Sequence, residues 1–310
     1  MINYIILAHK NPHQLKRLID RLDPAISAFF IHIDKHVDIG QFQALVEHYP
    51  NVKFVHDRHR EECIWGDISL VKATINASKL ALKYGNKSGY CVLLSGQDYP
   101  IKSNSYINKV LSSDNEKCYI DTLDAFEYWD NYGEADKRFR AYNLHPQGYK
   151  KPLISIYPFA HKKAYSYRNI KAIYRTAKIY GWSKIGSLNL RHKREDLSGI
   201  DVKGGSQWWA LPFSILDEVI SFIEANSEYI QHHENTHVPD EVIFNSVVFH
   251  LVEKRRIYES LTFVKWGKDS DPHPLVLDSS NLNELESLSS GKLFARKFEP
   301  NSSVLDALDV

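Results

Sequence analysis

The sequence predicts an α/β protein built on a mostly parallel sheet, with an irregular basic insertion near its middle. Three observations carry this. Short apolar runs alternate with helical patterns through the first hundred residues, the helical patterns open on helix-start signals, and the alternation resumes after Gly204 and Gly205. INYIILA (2–8), FFIHID (29–34), NVKFV (51–55) and YCVLLS (90–95) read as strands. Between the first two, Asn11 followed by Pro12 marks a helix start, and Leu15, Leu18, Ile19 and Leu22 form an apolar stripe. Asp67 opens a second helix that runs to about Tyr84. In sheets of this kind ligands bind beyond the carboxyl ends of the strands, here His9, Asp34 and the SGQDYP turn of residues 95–100. After the glycine pair, SQWWALP (206–212) reads as a strand and Ser214 to Ala225 as a helix. A further helix is expected from Pro239 towards Val252, and FVKW (263–266) and LFARKF (293–298) read as short strands.

At 310 residues the chain is long enough for one large or two modest domains, and its 43% hydrophobic and 25% charged content excludes disorder and collagen-like structure. No apolar stretch approaches the roughly 20 residues of a membrane-spanning helix, and MINYIILAHKNP lacks the layout of a signal peptide, so a cytoplasmic protein is expected. Cys63, Cys91 and Cys118 are odd in number and show no CxxC spacing, which argues for buried thiols over a disulfide framework. Internal repeats and low-complexity linkers are absent.

A net charge of +1 conceals a strong segregation. Of the 39 lysines and arginines, 15 lie between Lys137 and Arg194, a stretch without one Asp or Glu, which leaves 24 to face 38 acidic residues elsewhere. Such a stretch suits an anionic partner: phospholipid head groups, a lipid diphosphate or nucleic acid. Within it Ile170, Ile173, Tyr174 and Ala177 are expected on one face of a helix from Tyr167 to Tyr180, with Arg168, Lys171, Arg175 and Lys178 on another. Such a helix can lie on a membrane surface or pack as an ordinary amphipathic helix.

Several side chains are candidates for chemistry. Asp240 and Glu241 fall in the first turn of the helix that Pro239 opens, where carboxylates are favoured by the helix dipole alone; the same dipole would keep Glu241 ionised, as a general base requires. Arg296 and Lys297 stand together near a strand end, where a planar fork and a point charge could neutralise one diphosphate, though a solvated pair is the plain alternative. Trp208 and Trp209 alternate across a strand, so at most one would meet a ligand, by stacking on a sugar. His232, His233, Glu234 and His237 have metal-ligand spacing, but Asn235 and Pro239 favour a loop over a zinc site. Asp269, Ser270 and Asp271 form a DxD triplet in a turn-rich context late in the chain, where local hydrogen bonding explains them. GxGxxG, GxxxxGK[ST] and GxSxG are all absent, which weakens dinucleotide, P-loop and serine-hydrolase readings.

Eight blocks in order resemble one family: LAHKNP (7–12), FFIHIDK (29–35), WGDISLVKATINASKLAL (65–82), LLSGQDYPIKSN (93–104), GGSQWWAL (204–211), VPDE (238–241), VKW (264–266) and LFARKFE (293–299). The family is the core-2/I-branching N-acetylglucosaminyltransferases, whose other branch is the protein xylosyltransferases. The resemblance implies a glycosyltransferase-A fold, a UDP-sugar donor, a glycan acceptor, and inversion at the anomeric carbon with no divalent metal or other cofactor. Glu241 matches the family's catalytic base, and Arg296 with Lys297 the pair that holds the diphosphate. Asp34 and His9 fall in the nucleotide-binding blocks, while Asp98, Gln207, Trp208 and Trp266 match the donor-sugar or acceptor side.

The resemblance implies one integrated catalytic domain with three stretches: a nucleotide-sugar-binding half over 1–110, the basic aromatic segment over 111–203, facing acceptor or membrane, and a catalytic half over 204–310. It fails over 105–203, and a diphosphate-binding arginine of the branching enzymes has no counterpart near HPLVL (273–277), where Arg296 would substitute. With neither the membrane anchor nor the disulfides of the animal enzymes, the chain is expected to be a bacterial relative in surface polysaccharide assembly. Its acceptor would be borne on a lipid diphosphate, with peripheral contact at the inner membrane face. Two other classes compete: a non-catalytic glycan- or nucleotide-binding module, and a nucleic-acid-binding protein, which no recognised motif supports.

Overall fold

The computed structural model describes residues 1–112, 116–130, 134–146, 152–194, 199–267, 274–288 and 291–309. Its main sheet has seven strands in the order Ile257–Tyr258, Cys118–Tyr119, Ala210–Pro212, Tyr90–Ser95, Ile2–Ala8, Ser27–Ile33 and Val52–Phe54. The last four run parallel, with Ile5 paired to Phe30 on one side and Leu93 on the other. Ala210–Pro212 is antiparallel to both of its neighbours. The central strand Ile2–Ala8 is buried at every position except the half-buried Leu7, as an apolar run covered on both faces must be. Helices Pro12–Arg21 and Ser69–Tyr84 supply that cover. The stripe Leu15, Leu18, Ile19 and Leu22 is fully buried, each side chain contributing roughly 1.5–3 kcal/mol.

A smaller three-stranded sheet sits at the carboxyl edge of the first. Thr262–Val264 pairs in parallel with Phe294–Arg296, which pairs antiparallel with Asp98–Pro100, so that Arg296 lies directly opposite Asp98. Tyr4 stacks on Phe29 and meets Phe294 edge-on, which locks the C-terminal strand into the same core as the N-terminal sheet.

Four expectations are revised. The strand over 206–212 shortens to Ala210–Pro212, because upstream of it Ser206 N donates to the Asp121 carboxylate at 3.2 Å and leaves the ladder. The helix expected from Pro239 divides into a 3₁₀ turn, Pro239–Glu241, and an α-helix, Ile243–Leu251, with Val242 between them at φ −131°. Residues 137–194 hold more regular structure than their sequence suggests, including an antiparallel hairpin of Tyr142–Leu144 with Ile154–Ile156. The helix Tyr167–Tyr180 forms over its expected length, started by the Ser166 side chain and stopped at Gly181, φ 84°, but it turns a different face inward. Asn169 and Thr176 are the buried positions, with Ala172 and Ile173 packed on the cluster of Leu144, Ile154 and Ile156, and this leaves Ile170 and Tyr174 outside. No helix among the described residues is long and apolar enough to cross a membrane. Cys91 and Cys118 are buried and Cys63 half-buried, all three as free thiols.

Candidate active site

The strand ends gather the predicted residues at the carboxyl edge of the sheet. Asp34 follows strand Ser27–Ile33 and is buried, with Oδ1 accepting from His36 N and Oδ2 from Cys63 N, each at 2.9 Å. It therefore braces two loops. Arg60 holds the same corner from beneath by donating to the carbonyls of Ile33, Asp34 and Val37. His9 follows strand Ile2–Ala8 and senses Asp34, Glu299, Lys10 and Arg296; partial burial, then Lys10, lower its pKa and favour the neutral ring.

Asp98 is wholly buried. Its Oδ2 accepts from Ser95 N at 2.7 Å and its Oδ1 from Ser95 Oγ at 2.8 Å. Arg296 Nη1 approaches Asp98 Oδ1 to 3.4 Å as an ion pair without hydrogen-bond geometry, and the buried Arg296 Nε and Nη1 have no hydrogen-bond acceptor among the described residues. The guanidinium carbon lies over the Trp208 ring, 4.3 Å from its centroid. Burial raises the Asp98 pKa and Arg296 opposes the shift. Strand Phe294–Arg296 ends at Arg296, and Lys297 follows, half-buried and without an ion pair among the described residues. Burial, then Arg296 and Lys10, depress the Lys297 pKa against the pull of Glu299. The carboxylate of Glu299 itself takes Lys10 Nζ and Gln97 Nε2, each at 3.0 Å.

The second wall is the turn Pro239–Glu241. Val238 precedes it at φ 56°, a left-handed conformation costly for a β-branched side chain, and its N–H is held at 2.9 Å by the carbonyl of Gly66. Glu241 Oε2 accepts from Arg138 Nη1 at 3.0 Å, and the side chain keeps 29% exposure. Burial raises the Glu241 pKa, Arg138 draws it down, and Glu134 adds a smaller upward push. A helix dipole at Glu241 is the sequence-based expectation for keeping it ionised. With the α-helix beginning only at Ile243, desolvation and one arginine govern it instead. Asp240 beside it is buried with Oδ1 unpartnered; burial and the Glu241 charge raise its pKa, and both Arg138 and Arg296 oppose the rise.

Arg138 is the residue the sequence did not reveal. It comes from helix Ala135–Arg140 inside the basic stretch, lies 4.5 Å over the Trp129 ring, and bonds Glu134 as well as Glu241. One of 15 cations in a row carries no individual mark. Trp129 also explains Gly204, where a Cβ would stand 2.2 Å from its ring, while a Cβ on Gly205, φ 151°, would stand 2.4 Å from Asp121 Cβ.

The remaining candidates scatter. Gln207 is half-buried beside Trp208, while Trp209 packs wholly in the core against Phe244. Trp266 stands 57% exposed just past strand Thr262–Val264 and makes no ring contact among the described residues. The histidines diverge: His233 Nδ1 pairs with Thr236 Oγ1, whereas His237 Nδ1 meets His145 Nε2 at 3.3 Å. Asp269, Ser270, Asp271 and His273 lie outside the described residues.

Arg296 acts on the Asp240 carboxyl, so the turn Pro239–Glu241 and the end of strand Phe294–Arg296 border one region at the carboxyl edge of a mostly parallel sheet, where ligands bind in folds of this kind. The chain belongs to the Core-2/I-Branching enzyme family, whose model matches residues 2–288, and this is a family of glycosyltransferases. Similar proteins include Xylosyltransferase 2 of Rattus norvegicus and of Homo sapiens, each 24% identical over 99% of this chain and 33% of the relative. A Xylosyltransferase of Ciona intestinalis is 24% identical over 80% of this chain and 24% of its own length. The chain thus spans about a third or less of these relatives. Among solved structures, the apo WbbM bifunctional glycosyltransferase aligns with a TM-score of 0.39 at 8% identity, covering 97% of this chain and 46% of that one. Apo mouse Xyloside xylosyltransferase 1 aligns with a TM-score of 0.37 at 9% identity, covering 95% and 97%.

Proposed function

We propose that the protein transfers a sugar from a UDP-sugar to a glycan hydroxyl in one inverting step, with Glu241 as general base and Arg296 and Lys297 holding the diphosphate as it departs. The observation that carries this reading is the cationic group itself. Arg296 has buried donors without acceptors among the described residues, and the Lys297 pKa is depressed first by burial and then by Arg296 and Lys10, so the protein holds positive charge here at a cost. A diphosphate supplies the missing charge, and fixed cations then do the work of a divalent ion. In the reaction Glu241 takes the proton of the acceptor hydroxyl, whose oxygen forms the new bond to the anomeric carbon as the bond to the diphosphate oxygen breaks. Asp34 and His9 serve the nucleotide; Asp98 orients Arg296 beside the donor, and Gln207, Trp208 and Trp266 serve the sugar or the acceptor side. The family and its xylosyltransferase relatives favour N-acetylglucosamine or xylose as the donor sugar. A surface-polysaccharide acceptor suits the cationic 137–194 segment, and the protein would act at the cytoplasmic side of the membrane.

Thermal-shift measurements in EDTA test the donor. UDP at about 100 times its Kd is expected to add about 2.7 kcal/mol of stability, with a further increment from one UDP-sugar. A shift that requires manganese would overturn the metal-free reading and make Asp269 and Asp271 candidate ligands of the metal that meets the diphosphate. A product of retained anomeric configuration would overturn the single displacement.

Arg138 offers a separate check. Arg138→Met keeps the stem against Trp129 but removes the charge that draws the Glu241 pKa down. The acid limb of the kcat/KM profile is therefore expected to move to higher pH, with activity below the limb falling about tenfold per unit of displacement. An unmoved limb would dissociate Arg138 from the base.

A further inference from the structure

We propose that the outer face of helix Tyr167–Tyr180 is a docking surface for an anionic lipid bilayer. The helix spends its inward face on Asn169, Ala172, Ile173 and Thr176, which leaves Tyr167, Ile170, Tyr174 and Ile179 facing water. Tyr167, Ile170 and Tyr174 fall on one side at spacings of three and four residues and are 78%, 57% and 67% exposed. Lys171 and Lys178 follow Tyr167 and Tyr174 by four positions each, so both exposed cations stand beside this apolar row. Arg168, Lys171 and Lys178 form no ion pair among the described residues, and no acidic residue occurs between Lys137 and Arg194 to supply one. Exposed apolar residues scattered singly are ordinary, but a row flanked by unpaired cations is not.

Helix length and aromatic placement agree with an interfacial pose. Fourteen residues span about 21 Å, with Tyr165 and Trp182, themselves 78% and 67% exposed, just beyond the two ends. Interfacial helices bury an apolar face to about 5–10 Å while lysines reach head groups, and Tyr and Trp favour that boundary. Nucleic acid would use the cations and could stack on the tyrosines, but gives Ile170 nothing to bury against. A second copy of this face would bring like charges together. The surface is separate from the residues of the transfer site, so it holds or fails independently of the reaction proposed above.

The test is co-sedimentation of the full chain with vesicles of phosphatidylcholine alone and with about one-third phosphatidylglycerol. Binding to the anionic vesicles at least tenfold tighter than to neutral ones is expected. Each cation near such a surface contributes about fivefold, so the pair Lys171→Glu with Lys178→Glu is expected to weaken binding on the order of 30-fold or more. The pair Ile170→Ser with Tyr174→Ser, also at exposed positions, is expected to weaken it by a smaller factor while leaving the melting temperature unchanged. Equal affinity for both vesicle types, no binding to either, or unaltered binding by both double variants would overturn the proposal. So would single-stranded RNA that binds more tightly than the anionic vesicles, or a concentration-dependent dimer abolished by the same substitutions.

Discussion

Glu241→Gln is expected to lower kcat on the order of 10²- to 10⁴-fold while leaving the donor KM and the melting temperature close to those of the parent. Glutamine preserves shape, and its amide oxygen can still accept from Arg138 Nη1, so the 3.0 Å contact that positions the side chain survives. What is lost is the ability to take a proton. Stability gives an independent sign. A carboxyl whose pKa is raised on folding binds its proton more tightly in the native state, so it costs stability as pH rises through its folded value. Replacement by an uncharged amide removes that cost, and the variant at neutral pH is expected to be as stable as the parent or more so. Loss of turnover with stability retained is the signature of the base. Near-normal turnover of a working donor and acceptor pair would remove Glu241 from the mechanism.

The strands Ile2–Ala8 and Tyr90–Ser95 were legible over their whole lengths, because a strand buried on both faces has a continuous apolar run as its necessary composition. Helix Tyr167–Tyr180 was legible in extent, since Ser166 and Gly181 fix its ends through local backbone chemistry. Its inward face was not. That depended on which side met Ile154 and Ile156, a choice between two partly apolar sides that a helical pattern alone does not make. The break at Val242 was hidden for a similar reason. Pro239 is an equally good opening for an α-helix and a 3₁₀ turn, and the outcome rests on a long-range bond from Val238 N to Gly66. Arg138 and its field on Glu241 depend on contacts separated by 103 residues, for which neither periodicity nor spacing leaves a trace.

Lys297→Ala and Arg296→Ala are expected to part company in stability though both impair the reaction, and the contrast tests whether these cations exist for a ligand. Lys297 has its pKa depressed by burial and by Arg296 and Lys10, so its charge is a liability in the folded protein at neutral pH. Its removal is expected to leave the melting temperature unchanged or raise it, while UDP binding weakens and kcat falls on the order of 10²-fold or more. Arg296 is bound into the fold by its place over Trp208 and opposite Asp98. Deleting it strands a buried carboxyl whose hydrogen bonds among the described residues come from Ser95, a loss of about 3–5 kcal/mol when one partner of a buried pair is removed. Arg296→Gln combined with Asp98→Asn removes both charges and should recover much of that stability, yet the missing cation should keep turnover low by about 10²- to 10³-fold. Differential scanning fluorimetry with and without UDP, alongside turnover, reads both effects. Were the stable double variant to turn over at the parental rate, or Lys297→Ala to bind UDP as tightly as the parent, the diphosphate would be held elsewhere.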